Sequence, residues 1–93
     1  MTDYVKKPII YKRVQFTGDV AAFEAELQAE SGTWWTWAVY LPDGGGDAVV
    51  ARYYSNAQAP GFLELLPSQF VVFRNGPEEL PYLDYDGSSV VPA

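Results

Sequence analysis

The residues of this chain that carry the most chemistry are carboxylates. Asp43 and Asp47 flank the glycine run 44–46, and Asp84-Tyr85-Asp86-Gly87 begins like a calcium loop. A complete loop of that kind supplies oxygen ligands up to a bidentate Glu about eleven residues on. The chain ends at Ala93 without one, so turn-forming aspartates are the simpler reading. The other usual actors are missing. There is no His and no Cys, which removes the commonest general base, the Cys–His pair, the Ser–His–Asp triad and thiolate metal sites. Gly44-Gly45-Gly46 has no following Lys and helix, so it reads as a hairpin tip and not as a phosphate cradle. These absences predict a non-enzyme with no cofactor and no metal.

The aromatic set comes next. Trp34-Trp35-Thr36-Trp37 and the neighbouring Tyr53-Tyr54 place large rings on both faces of their strands. Two readings stand. Helix and loops cover both faces, or Trp34, Trp35, Trp37, Tyr53 and Tyr54 include an exposed patch that docks a partner, as Trp and Tyr do at interface hot spots. Charge adds a second feature. Residues 1–16 carry Lys6, Lys7, Lys12 and Arg13 against Asp3, a balance of +3, while residues 17–93 balance to −9. An acidic body repels the phosphate backbone, which disfavours nucleic acid as a partner. The four cations are either a solvated strand end or a contact for an acidic neighbour, a second copy of the chain included.

The elements that position these residues follow from periodicity. Pro8–Phe16 reads as a strand near a sheet edge, since neither of its faces is cleanly apolar. Thr17-Gly18-Asp19 breaks it, and Asp19 is suited to cap a helix over 19–31. Val20, Phe23 and Leu27 form that helix's apolar stripe, with Glu24, Gln28 and Glu30 expected in water and Gly32 at its end. A hairpin over 33–54, a polar loop over 55–61 and short strands at 62–66, 69–74 and 82–85 complete the reading. The 93 residues make one α+β domain: one helix packed on a small curved antiparallel sheet or partial barrel of five to six short strands. No segment resembles a signal peptide, and no apolar run approaches the roughly 20 residues that span a bilayer.

Tyr4-Val5-Lys6-Lys7-Pro8-Ile9-Ile10, followed by Gln15-Phe16-Thr17-Gly18-Asp19, resembles the start of a group of small bacteriophage proteins. The likeness covers about a sixth of the chain and departs from the group's pattern at Lys12 and Arg13. It implies a phage origin and a fold start, not an activity. The function expected on these grounds is a non-catalytic phage protein acting by protein–protein binding, as a virion accessory or capsid-decorating subunit. The alternatives are a modulator of a host or defence protein, and a small-molecule or nucleotide-binding module whose pocket is lined by Trp37 and Tyr53. The expected partner is a phage structural or host protein or another copy of the chain, met in the host bacterial cytoplasm or the virion.

Overall fold

Asp19 sits in extended backbone, and its carboxylate accepts from the Ala22 N–H at 3.1 Å, three residues into the helix. That side-chain bond satisfies one of the four donors left free at any helix start. The computed structural model describes residues 2–4, 9–44, 46–56 and 58–92, and in it helix α1 spans Val20–Ser31. Gly32 ends the helix at φ 58°, a conformation that costs glycine little. The chain then turns through Trp34, whose N–H returns to the Ser31 carbonyl at 3.1 Å, before strand β2 begins at Thr36 and runs to Tyr40.

The remaining strands are β1 (Lys12–Gln15), β3 (Val49–Ser55), β4 (Gln58–Leu65), β5 (Phe70–Phe73) and β6 (Tyr82–Asp84). Two differ from the sequence reading. The expected strand 8–16 pairs only over Lys12–Gln15, against Phe70–Phe73, and Pro8 lies outside the described residues. The expected polar loop 55–61 is largely the first half of β4, which pairs with β3 from Val49↔Leu65 to Tyr53↔Gly61 and again at Ser55↔Gln58. A register irregularity between Tyr53 and Ser55 absorbs the mismatch, and Pro60 is tolerated because β4 is an edge strand. Gly61 is needed where it stands: a Cβ there would lie 2.4 Å from the buried Tyr53 ring.

The fold is α+β, with one helix against antiparallel strands, as the patterning predicts. The strands divide into two three-stranded sheets, β1–β5–β6 and β2–β3–β4, which do not join into one closed barrel. Helix α1 touches both β2 and β1, while β4 nears β6 at the opposite seam. One apolar cluster fills the space between. Phe23 and Leu27 come from the helix, Val14, Val71 and Phe73 from one sheet, and Trp37, Val39, Ala51, Tyr53 and Leu65 from the other. Trp37 links the two sheets, its ring 5.4 Å from Phe73 and 5.7 Å from Tyr53. Its indole N–H donates to the buried Ser31 hydroxyl at 2.6 Å, and that of Trp35 to the Arg74 carbonyl at 2.9 Å.

Two helix residues expected in water have another task. Strand β2 pairs with β3 on one edge only. On its other edge the Trp37 N–H donates to Gln28 Oε1 at 3.1 Å and the Val39 N–H to Glu24 Oε1 at 2.9 Å. Gln28 Nε2 in turn donates to the Trp35 carbonyl at 2.8 Å. The geometry allows this because four helical residues rise about 6 Å and two strand residues about 6.6 Å. Glu24 and Gln28 therefore step along the helix in register with Val39 and Trp37, and the helix substitutes for a missing strand. Lys12 of β1 reaches Glu30 on the same helix at 3.3 Å.

The stripe and the edge make separable predictions. Phe23→Ala should lower stability by about 3–5 kcal/mol in urea unfolding, since it empties a buried site between helix and sheet. An unchanged midpoint would put that ring in solvent. Gln28→Ala should cost about 1–3 kcal/mol by stranding a partly buried N–H and C=O. It should also speed hydrogen exchange at the Trp37 amide well beyond any change at Ala51 in the strand next to it. Equal exchange at Trp37 in the wild-type and Gln28→Ala chains would remove Gln28 from the edge.

Candidate protein-binding surface

The structure divides the nine residues proposed from sequence. Trp35, Trp37 and Tyr53 are 0%, 5% and 6% exposed, so they are core and not a docking patch. The hairpin expected over 33–54 puts Trp34, Trp35 and Trp37 on one strand with rings on both faces. In fact the strand starts at Thr36, Trp35 and Trp37 both point inward, and Trp34 lies in the turn before it. Trp34 is half-buried, edge-on to Trp35 at 6.5 Å, and its buried indole N–H has no hydrogen-bond partner among the described residues. The expected pocket lined by Trp37 and Tyr53 does not form, because the two rings pack on each other. Tyr54 is the most exposed of the five.

Two of the four cations serve the fold. Lys12 pairs with Glu30. Arg13 donates to the Gly87 carbonyl at 2.7 Å and lies 4.9 Å from the centre of the Phe70 ring. Lys6 and Lys7 lie outside the described residues.

The C-terminal carboxylates build the turn that Arg13 grips. Asp84, 6% exposed, accepts from the N–H groups of Gly87 and Ser89 at 3.2 Å each and from the Ser89 hydroxyl at 2.8 Å. Asp86 accepts from the Ser88 hydroxyl at 2.6 Å and its N–H at 3.0 Å, and the Ser88 hydroxyl bond leads in holding its carboxyl below the usual range. Gly87 takes φ 77°, and a Cβ there would come within 2.9 Å of Phe70. The calcium-like start is thus a hydrogen-bonded turn. Among the described residues no group of three or more acidic side chains could hold a metal ion. Beside it, the Tyr11 hydroxyl donates to Glu79 at 2.5 Å, a bond that raises the phenol above its usual range.

What sequence reasoning missed is the outer face of the β2–β3–β4 sheet. With Trp37, Val39, Val49, Ala51, Tyr53 and Leu65 turned inward, alternation turns Ala38, Tyr40, Val50, Arg52, Tyr54, Phe62 and Glu64 outward. The register lays them in rows: Tyr40, Val50 and Glu64; Ala38, Arg52 and Phe62; Thr36 and Tyr54. Phe62 is 59% exposed, Tyr40 43% and Tyr54 37%. A solvent face of an antiparallel sheet is ordinarily polar. This one is aromatic, with a single cation, and Arg52 lies 4.9 Å from the centre of the Tyr54 ring. The described residues hold two ion pairs, Lys12–Glu30 and Arg74–Glu78, and Arg52 belongs to neither. The signal available in the sequence was Val49–Tyr54, apolar on both strand faces save for Arg52.

Elsewhere, an open cleft of about 740 Å³ lies between Ile9–Tyr11 and the Ser89–Pro92 tail, with Arg13 on its wall. Compared with known proteins, the chain matches no family model, no curated protein and no solved structure.

Proposed function

We propose that this protein is a non-catalytic binding domain that docks another protein on the outer face of its β2–β3–β4 sheet. The observation that carries the reading is the exposed Tyr40–Tyr54–Phe62 surface with Arg52 stacked on Tyr54. Tyr and Arg are the residue types that concentrate binding energy at protein interfaces, because they bring large contact area with a polar handle. Helix α1 covers the β2 edge and the core side, so nothing within the described chain competes for this face. The resemblance of residues 4–10 and 15–19 to small bacteriophage proteins supports a phage origin, and within that setting we read the binding role as that of a virion accessory or capsid-decorating subunit. The absence of His and Cys supports binding over catalysis.

The test is a surface double substitution, Tyr54→Ser with Phe62→Ser. Both side chains lie outside the core, so stability should change by less than about 1 kcal/mol. Affinity for the protein captured by the wild-type chain from infected-cell lysate should fall about tenfold or more. Trp37→Ala serves as the contrast, because it should unfold the domain. Retained capture by a folded double variant would overturn the reading.

A further inference from the structure

We propose that the outer β2–β3–β4 face takes the N-terminal segment of a second copy of this chain. The inference rests on the docking reading of that face and adds its occupant. The face is not uniform. Its Tyr40–Val50–Glu64 row adjoins the connection between β2 and β3, which carries Asp43 and Asp47. All three carboxylate residues are exposed, and none is in an ion pair among the described residues. One end of the aromatic surface is therefore acidic, and it calls for a basic segment with apolar neighbours.

The chain holds such a segment. Of its six cations, Lys12 and Arg74 are in ion pairs, Arg13 is held by Gly87 and Phe70, and Arg52 belongs to the face itself. The remaining two, Lys6 and Lys7, stand in Tyr4-Val5-Lys6-Lys7-Pro8-Ile9-Ile10. Tyr4, Ile9 and Ile10 are 90%, 58% and 63% exposed, so their apolar surface is not covered within one copy. Seven residues would span roughly 20 Å as a strand, while three rows of the face span roughly 14 Å, so a segment of this length can cross it.

A second copy is the source because in one copy Ile9 and Ile10, where the segment joins the fold, are on the wrong side. Ile9 and Ile10 line clefts against Lys12, Arg74 and the 89–92 tail. That tail is bonded through Ser89 to Asp84 of β6, so these residues belong to the β1–β5–β6 side. Segment-on-face contact joins unlike surfaces, so identical copies either exchange segments across a two-fold axis or link head-to-tail into a ring or filament.

The chain has no cysteine, so a full-length Thr2→Cys copy can carry a single spin label. Mixed with a ¹⁵N-labelled copy that carries no spin label, it should broaden amides of residues 50–54 and 61–64. Sedimentation should show self-association that weakens about tenfold in K6E/K7E, as charge reversal across a contact does. Mixing K6E/K7E with a D47K/E64K copy should restore it. Broadening confined to β1–β5–β6, or association indifferent to K6E/K7E, would overturn the inference. A strict monomer that still loses a different partner on Tyr54→Ser and Phe62→Ser would overturn it too, while leaving the docking face intact.

Discussion

A strand at the edge of a sheet leaves alternate N–H and C=O groups without partners, and a fold of this size has few spare strands to cover them. At β2 the solution is two side chains. Gln28 presents an acceptor to Trp37 and a donor to Trp35, as a neighbouring peptide group would, and Glu24 adds an acceptor for Val39 one step along. Much else depends on this. With its carboxylate and amide locked to the strand, α1 cannot roll, so Phe23 and Leu27 must face the core. Ser31 is brought under the Trp37 indole and Glu30 beside Lys12 of the other sheet. The helix thereby fixes the relation between two sheets that share no strand pairing among the described residues, and Trp37 against Phe73 fills the junction.

The sequence made the helix legible because its signals agree: Asp19 as a cap, a stripe at Val20, Phe23 and Leu27, and Gly32 at the end. It did not show the work of Glu24 and Gln28. Polar residues beside an apolar stripe normally meet water, and only the position of β2 turns them into hydrogen-bond partners. β4 was hidden for a related reason. Gln58 to Gly61, with Pro60, reads locally as a loop, and it is pairing with β3 that makes it a strand. Local propensity yields there to tertiary context.

The candidate surface was misread through one boundary. Placing the strand start at Thr33 made Trp34 a strand residue and forced some tryptophan outward. Three residues of turn resolve that conflict, and they let Trp35, Trp37 and Tyr53 close on one another. Burial of those rings sets the phase of every neighbouring strand residue. Once Tyr53 faces inward, Tyr54 and Arg52 must face outward, and so must Phe62, which pairs with Arg52. The exposed aromatics of this sheet face are thus Tyr40, Tyr54 and Phe62, of which the sequence reading named only Tyr54 as a candidate. Alternation begins at Thr36 and not at Thr33, and that shift decides which rings face water.

Folding alone gives no reason for those outward rings. Serine or threonine at Phe62 and Tyr40 would keep the strands and remove exposed apolar area from a chain with little stability to spare. The same strand also carries the opposite kind of residue. β4 is an edge, where unpaired backbone invites indiscriminate pairing with other chains, and it holds Pro60, which has no N–H to offer, and the charged Glu64. Pro60 blunts the edge while Phe62 two residues on leaves the face sticky. A strand that discourages association along its edge and retains aromatic surface on its face is suited to contact through side chains, where shape and charge can select the partner. That division of labour within eight residues is what ties the proposed docking face to the fold beneath it.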